Sequence, residues 1–205
     1  MLGVNVTDDS WSKLVQAAEA NDGHLTTGQA AAAGVSRTML TRYVESGRLV
    51  RVCRGHYVMA DSMTDEYALL QARSSRIIFS HGTALFFWGL SDRVPHIIDL
   101  TVPQGTNTAR LKQGNPQLRF HYVQPELFKL GVTEMVSPQG SSIILYDKER
   151  CICDLIRARK HTDMQIYAQA IKDYFAQGAD TRKLLKYGKK FGIEDKIRTY
   201  MEVLL

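Results

Sequence analysis

Apolar and polar positions change their period several times along the chain, and each change marks an element. Trp11, Leu14, Val15 and Ala18 recur at helical spacing and predict an amphipathic helix over 8–20, after a loose start at 1–7. Asn21-Asp22-Gly23 reads as a turn. Thr26 is placed to cap an Ala-rich helix over 27–33, because its hydroxyl can accept from an unpaired first-turn amide. Gly34 can end that helix in the left-handed conformation. Ser36 caps a second helix running to about residue 46, and Gly47 stops it. Met39, Leu40, Tyr43 and Val44 form its apolar stripe, with Val35 just ahead. Residues 49–53, the pair Arg54-Gly55 and residues 56–59 then read as a hairpin. A capped short helix, a Gly-bearing turn, a second capped helix and a two-stranded ribbon predict a winged helix-turn-helix.

A polar passage at 61–64 sets the expected domain boundary, giving domains over 1–60 and 61–205. Thr64 is positioned to cap a helix to about residue 74, with Tyr67, Ala68 and Leu70 inward. A short strand is expected over 76–80, and a strongly apolar helix over 81–88 that Gly89 ends. The β-branched run 96–102 predicts a strand, and 103–114 a polar loop. Over 118–123 the alternation of Leu118, Phe120 and Tyr122 against Arg119, His121 and Val123 predicts another strand. Segments 132–136 and 142–146 read as a further pair across the turn Ser137-Pro138-Gln139-Gly140. Asp147 then caps a helix to about residue 160 with Ile152, Leu155 and Ile156 inward. Helices over 163–175, 181–190 and 193–205 follow. The expected fold class is α+β, an N-terminal winged helix-turn-helix domain followed by a larger mixed α/β domain that ends in a helical bundle.

Composition narrows the function without naming it. The 205 residues are 44% apolar and 23% charged, ordinary for a soluble globular chain, and the net charge of +5 is a modest bias towards anionic partners. The three cysteines, Cys53, Cys151 and Cys153, lack the spacing of a zinc site and read as reduced structural residues of a cytoplasmic protein. No basic start with an apolar run suggests a signal peptide. No stretch approaches the roughly 20 apolar residues of a membrane span.

The charge is concentrated where the helix-turn-helix pattern lies. Arg37, Thr38, Thr41, Arg42 and Glu45 fall on the face of the second helix opposite its apolar stripe, and Arg48, Arg51 and Arg54 load the hairpin. Arginine can bridge guanine N7 and O6 or hold a phosphate, and threonine can meet a base edge or a thymine methyl. Arg37, Thr38, Thr41, Arg42, Arg48, Arg51 and Arg54 are therefore the candidate DNA-binding residues.

Chemistry is harder to find. There is no phosphate-cradling glycine loop, dinucleotide fingerprint or Gly-x-Ser-x-Gly elbow. The six histidines are scattered without metal-ligand spacing. His81 reads as a capping or core-polar residue. Asp99 with Glu126 or Glu134 lacks the Glu-x-Lys partner of a nuclease set. Asp154 and Arg157 read as a local ion pair. Ser80, His81, Asp99 and Asp154 are the polar residues an enzyme would draw on, but the expectation is no enzyme, no cofactor and no metal. The basic residues of the last two helices read as a solvated face, with a second anionic-partner surface as the alternative.

Three stretches carry a family resemblance: GVSRTMLTRYVESGRLVRVCRGHYVM (34–59), SHGTALFFWGLSDRVPHIIDLTVP (80–103) and DKERCICDLIRAR (147–159). In that order they resemble an AbiEi-type antitoxin of a bacterial type IV toxin–antitoxin, or abortive phage infection, system. The resemblance implies an N-terminal winged helix that binds inverted repeats in the operon's own promoter and represses it. It also implies a C-terminal domain that neutralises a nucleotidyltransferase-like toxin without a stable complex. Paired half-sites usually meet paired modules, so two copies on DNA are expected. The alternative is a winged-helix regulator whose C-terminal domain senses a ligand.

Overall fold

Helix α1 (Val6–Glu19) turns the apolar stripe of Leu14 and Ala18 onto a core completed by the next five elements. The structure, a computed structural model, describes residues 6–21, 23–60, 65–113 and 115–205. A three-residue strand, β1 (His24–Thr26), runs into α2 (Thr27–Ala32). Thr26 caps α2 as a full capping box. Its hydroxyl accepts from Gln29 N at 3.1 Å, and its own amide donates to Gln29 Oε1 at 2.7 Å. Gly34, at φ +80°, carries the chain to α3 (Arg37–Glu45), whose cap Ser36 accepts from Met39 N at 3.3 Å. Leu40 and Tyr43 are buried, with Met39 and Val44 packed beside them. Strands β2 (Leu49–Cys53) and β3 (His56–Met59) pair antiparallel through Arg51↔Tyr57, with a bulge between Arg51 and Cys53. Strand β1 adds to the other edge of β3, giving the order β1-β3-β2. The sequence pattern missed β1 because three residues are too few to show a period of two.

The chain divides into two compact units, Met1–Ser75 with Val136–Ile143, and Arg76–Met135 with Ile144–Leu205. The expected boundary at 60/61 rests on residues 61–64, which lie outside the described residues along with the expected cap Thr64. Helix α4 (Glu66–Ala72) is capped instead by Asp65, whose Oδ1 accepts from Tyr67 N and Ala68 N. The other Asp65 oxygen accepts a short hydrogen bond from the Ser137 hydroxyl. This buried contact ties α4 and the 136–143 turn into the first unit.

The second unit is built on a five-stranded sheet, ordered β6-β5-β4-β8-β7. Strand β4 (Ile78–Phe79) is followed by α5 (His81–Phe87), then β5 (Ile98–Pro103). The expected polar loop holds a short helical turn, α6 (Ala109–Lys112), before β6 (Leu118–Val123), which runs parallel to β5. A second short helix, α7 (Pro125–Phe128), precedes β7 (Val132–Val136) and β8 (Ser142–Tyr146). The simple alternation expected for β6 fails at its end, where Tyr122 is exposed and Val123 buried. The Tyr122 hydroxyl instead hydrogen-bonds Thr108 at 3.0 Å.

Helix α8 (Lys148–Arg157) is capped by Asp147, and α9 (Met164–Ala176), α10 (Thr181–Phe191) and α11 (Glu194–Leu204) complete the chain. Ile152, Leu155 and Ile156 are buried as the pattern requires, but so are Glu149, Arg150 and Asp154. Arg150 is 1% exposed. Its Nε donates to Asp154 Oδ2 at 2.9 Å, and its Nη1 donates to the Leu127 and Leu130 carbonyls at 2.7 and 2.8 Å. Its guanidinium also lies over Tyr146 and Phe191 at 4.1 and 4.6 Å. Removing one partner of a buried pair strands the other charge. Arg150→Ala should therefore lower the unfolding free energy by about 3–5 kcal/mol in urea denaturation. A loss below about 1 kcal/mol, the level of an exposed pair, would show that the buried pair contributes little.

Candidate nucleic-acid interface and polar pocket

In the first unit, the apolar side of α3 fixes where its polar side points. With Leu40 and Tyr43 sealed in the core, Arg37, Thr38, Thr41 and Arg42 are all exposed on the opposite face. The Thr41 hydroxyl donates to the Arg37 carbonyl at 3.1 Å, so its proton is committed to the helix and its oxygen is left to accept. Arg48, Arg51 and Arg54 are also exposed. The Arg48 guanidinium rests 5.2 Å from the Trp11 ring centroid, which anchors it against α1. The hairpin tip is tethered. The Gly55 carbonyl accepts from Thr27 N at 2.8 Å and from the Thr27 hydroxyl at 3.3 Å, and Gly55 holds φ +86° to allow it. All seven candidate residues thus lie on α3 or on the ribbon and turn that follow it.

In the second unit, polar residues separated in sequence converge. Asp99 on β5 is 1% exposed. Its carboxylate accepts two hydrogen bonds from the Arg119 fork, at 2.6 and 2.9 Å, and one from His121 at 2.7 Å. Burial alone would raise the Asp99 carboxyl; the hydrogen bonds from His121 and Arg119 outweigh it and hold the group below the usual carboxylate range. Arg119 and His121 sit at alternate positions of β6, paired in register with Asp99 and Thr101. Sequence reasoning missed both partners, because only the parallel β5–β6 pairing places them beside Asp99. Among the described residues, no group of three or more His, Cys, Asp or Glu side chains that could hold a metal ion brings Asp99 together with Glu126 or Glu134.

His81 stacks on His121 with ring centroids 3.5 Å apart. Its backbone is at φ +46°, the one positive-φ non-glycine among the described residues, at a cost on the order of 1–3 kcal/mol. Thr101 Oγ1 donates to Ser80 Oγ at 2.8 Å, and Ser80 Oγ lies 3.0 Å from His81 Nδ1. Ser80 is fully buried and its hydroxyl has no other acceptor among the described residues, so it donates to Nδ1, which assigns the hydrogen of the neutral imidazole to Nε2. Ser80 is 0% exposed, so it orients His81 and is not presented as a nucleophile. His81, Thr101, Phe120, His121, Arg150, Asp154 and Arg157 line a cavity of about 380 Å³. Asp154 is paired with Arg150 and, at 3.4 Å, with Arg157, so the local pair expected from spacing is the weaker of its two.

Elsewhere in this unit Cys151 and Cys153 are free and buried, and burial pushes both thiols up. Lys183, from the run read as a solvated face, reaches Asp147 at 3.1 Å and Glu149 at 2.8 Å. Among the described residues no His, Cys, Asp or Glu group could hold a metal ion, and no helix is long and apolar enough to cross a membrane.

Comparison with known proteins bears on the class of the first unit and on the fold of the chain. Residues 12–60 match the family model described as transcriptional regulator, AbiEi antitoxin. The match runs from within α1 to the end of β3 and is consistent with an AbiEi-type antitoxin. The fold as a whole is similar to the crystal structure of the RV2827C protein from Mycobacterium tuberculosis, with a TM-score of 0.60 and 13% identity over 88% of this chain and 71% of that one. No curated protein matches the chain.

Burial pushes His81 down to about 4; the charges of Asp154 and Asp99 oppose this and those of His121 and Arg150 add to it. A folded value below the ordinary 6.5 means that the unfolded imidazole takes up a proton the folded one refuses. Stability should therefore fall as pH drops from 6.5 towards about 4. His81→Asn, which tolerates the left-handed backbone, should show a smaller fall in urea midpoint between about pH 7 and about pH 4.5. An equal fall in both proteins would remove His81 as the cause.

Proposed function

We propose that the protein is an antitoxin that represses its own type IV toxin–antitoxin operon, with the first unit acting as a winged helix-turn-helix on inverted-repeat promoter DNA. The observation that carries this reading is the exposed basic face of α3 continued by the arginines of the ribbon. Helix α3 takes the place of the recognition helix in the major groove, and β2–β3 that of the wing along the phosphates. The tether between Gly55 and Thr27 supports it, because a fixed hairpin keeps its charges in register with α3. Two copies meet the two half-sites. The second unit neutralises a nucleotidyltransferase-like toxin, without a stable complex, inside the cytoplasm. The AbiEi match over 12–60 supports the regulator half more directly than the neutralising half.

The test is fluorescence anisotropy on the duplex upstream of the operon, across a salt series. Each phosphate contact contributes about −0.9 to the slope of log affinity against log salt. Arg37→Ala, Arg42→Ala, Arg51→Ala and Arg54→Ala together should flatten the slope by about 0.9 for every contact removed and weaken binding throughout. The same quadruple variant should lose repression in cells and keep toxin neutralisation. Parent-like affinity for the duplex would overturn the assignment.

A further inference from the structure

The cavity of the second unit contains none of the residues assigned to DNA binding, and its walls are specialised. We propose that it binds a nucleoside monophosphate, with the phosphate on the Arg157 guanidinium and the Nε2–H of His81. Charge favours an anion. Arg150 and Arg157 stand against Asp154 alone on the lining, and Asp154 is already paired with both. Arg150 is consumed by its carbonyl and carboxylate partners, whereas the Arg157 side chain is 45% exposed and makes one hydrogen bond, at 3.4 Å. Most of its fork is left to grip a phosphate. The Thr101–Ser80–His81 chain fixes a second, uncharged donor, and His81 Nε2 has no hydrogen-bond partner among the described residues. The strained backbone at His81 holds that imidazole on the cavity wall.

Size and shape point beyond a bare anion. A cavity of about 380 Å³ is larger than phosphate needs and lies in the range of small-ligand sites. The stacked His81–His121 pair lines the cavity, and with the His121 side chain 28% exposed it offers a flat surface for a planar ring. A cation is disfavoured because Asp154, the carboxylate on the wall, is already neutralised.

The inference is independent of DNA binding and is tested by isothermal titration calorimetry on the full chain. The probes are the four ribonucleoside 5′-monophosphates, the matching nucleosides, ribose 5-phosphate and inorganic phosphate. At least one nucleotide should bind saturably, more tightly than the other three classes of probe. Arg157→Ala and His81→Asn should each weaken it by about tenfold or more, the effect of losing a charge-assisted hydrogen bond. Circular dichroism and unchanged duplex binding would show both variants folded. The proposal is overturned if no nucleotide binds, if either folded variant binds like the parent, or if a nucleoside, ribose 5-phosphate or phosphate alone binds as tightly as the best nucleotide.

Discussion

The second unit depends on a charge that has been taken out of water. A guanidinium transferred to the interior loses several kcal/mol of hydration, which new partners must offset. For Arg150 one carboxylate and two main-chain carbonyls supply hydrogen bonds, and the Tyr146 and Phe191 rings lie 4.1 and 4.6 Å from its guanidinium. The carbonyls belong to Leu127 and Leu130, so the pair fixes the turn leading into β7 as well as α8 itself. The approach is so close that Gly131 can carry no side chain. A Cβ there would sit 2.7 Å from the Arg150 Cβ, and the backbone is at φ +79°. One buried cation thus sets the path of the chain around it and, by holding Asp154, fills one wall of the cavity.

Asp99 plays the corresponding part in the sheet. Its amide donates to the Thr83 hydroxyl at 2.8 Å and its carbonyl accepts from Ser80 N at 3.1 Å, which locks α5 against β5. Its carboxylate then orients Arg119 and His121 on β6. Gly82 is the space this requires, since a Cβ there would come within 3.0 Å of Asp99 Oδ2. The two carboxylates are compensated in different ways. Asp99 is paired by an arginine on the neighbouring strand β6, which the fold brings alongside, whereas Asp154 is paired by Arg150 one turn away on its own helix.

Legibility in the sequence follows from this difference. The first unit could be read closely because its signals are local: the caps Thr26 and Ser36, the turn glycines Gly34 and Gly47, and the stripe of Leu40 and Tyr43 all act within a few residues. The outward position of Arg37 and Arg42 follows from that stripe by helical geometry alone. In the second unit the strands are legible, but the pattern of α8 marks only Ile152, Leu155 and Ile156 as inward and reads Asp154 with Arg157 as a local pair, so the burial of Glu149, Arg150 and Asp154 goes unseen. Their partners come largely from elsewhere in the fold, the Leu127 and Leu130 carbonyls for Arg150 and the Tyr174 and Lys183 side chains for Glu149, which no period along α8 encodes. Likewise Asp99 was noticed as a strand carboxylate, whereas its partners on β6 needed the parallel β5–β6 register. His81 was seen as a capping or polar core residue, and its cavity could not be seen because its walls come from β5, β6, α5 and α8.

The backbone of His81 then has a physical meaning. Glycine at this position would remove the cost of a positive φ, and asparagine would reduce it. Histidine keeps the cost and gains three contacts neither substitute reproduces together: the Ser80 hydrogen bond, the stack on His121 and an N–H facing the cavity. The first two hold the ring, and a ring held against its backbone preference is a ring whose direction is fixed. Burial keeps it neutral near pH 7, so it offers a donor without adding a positive charge beside His121. A charged pair stacked 3.5 Å apart would repel, whereas a neutral imidazole over one bound to Asp99 does not. Strain, tautomer and charge state thus converge on the same atom, Nε2, and that convergence marks the cavity as a site rather than a gap in packing.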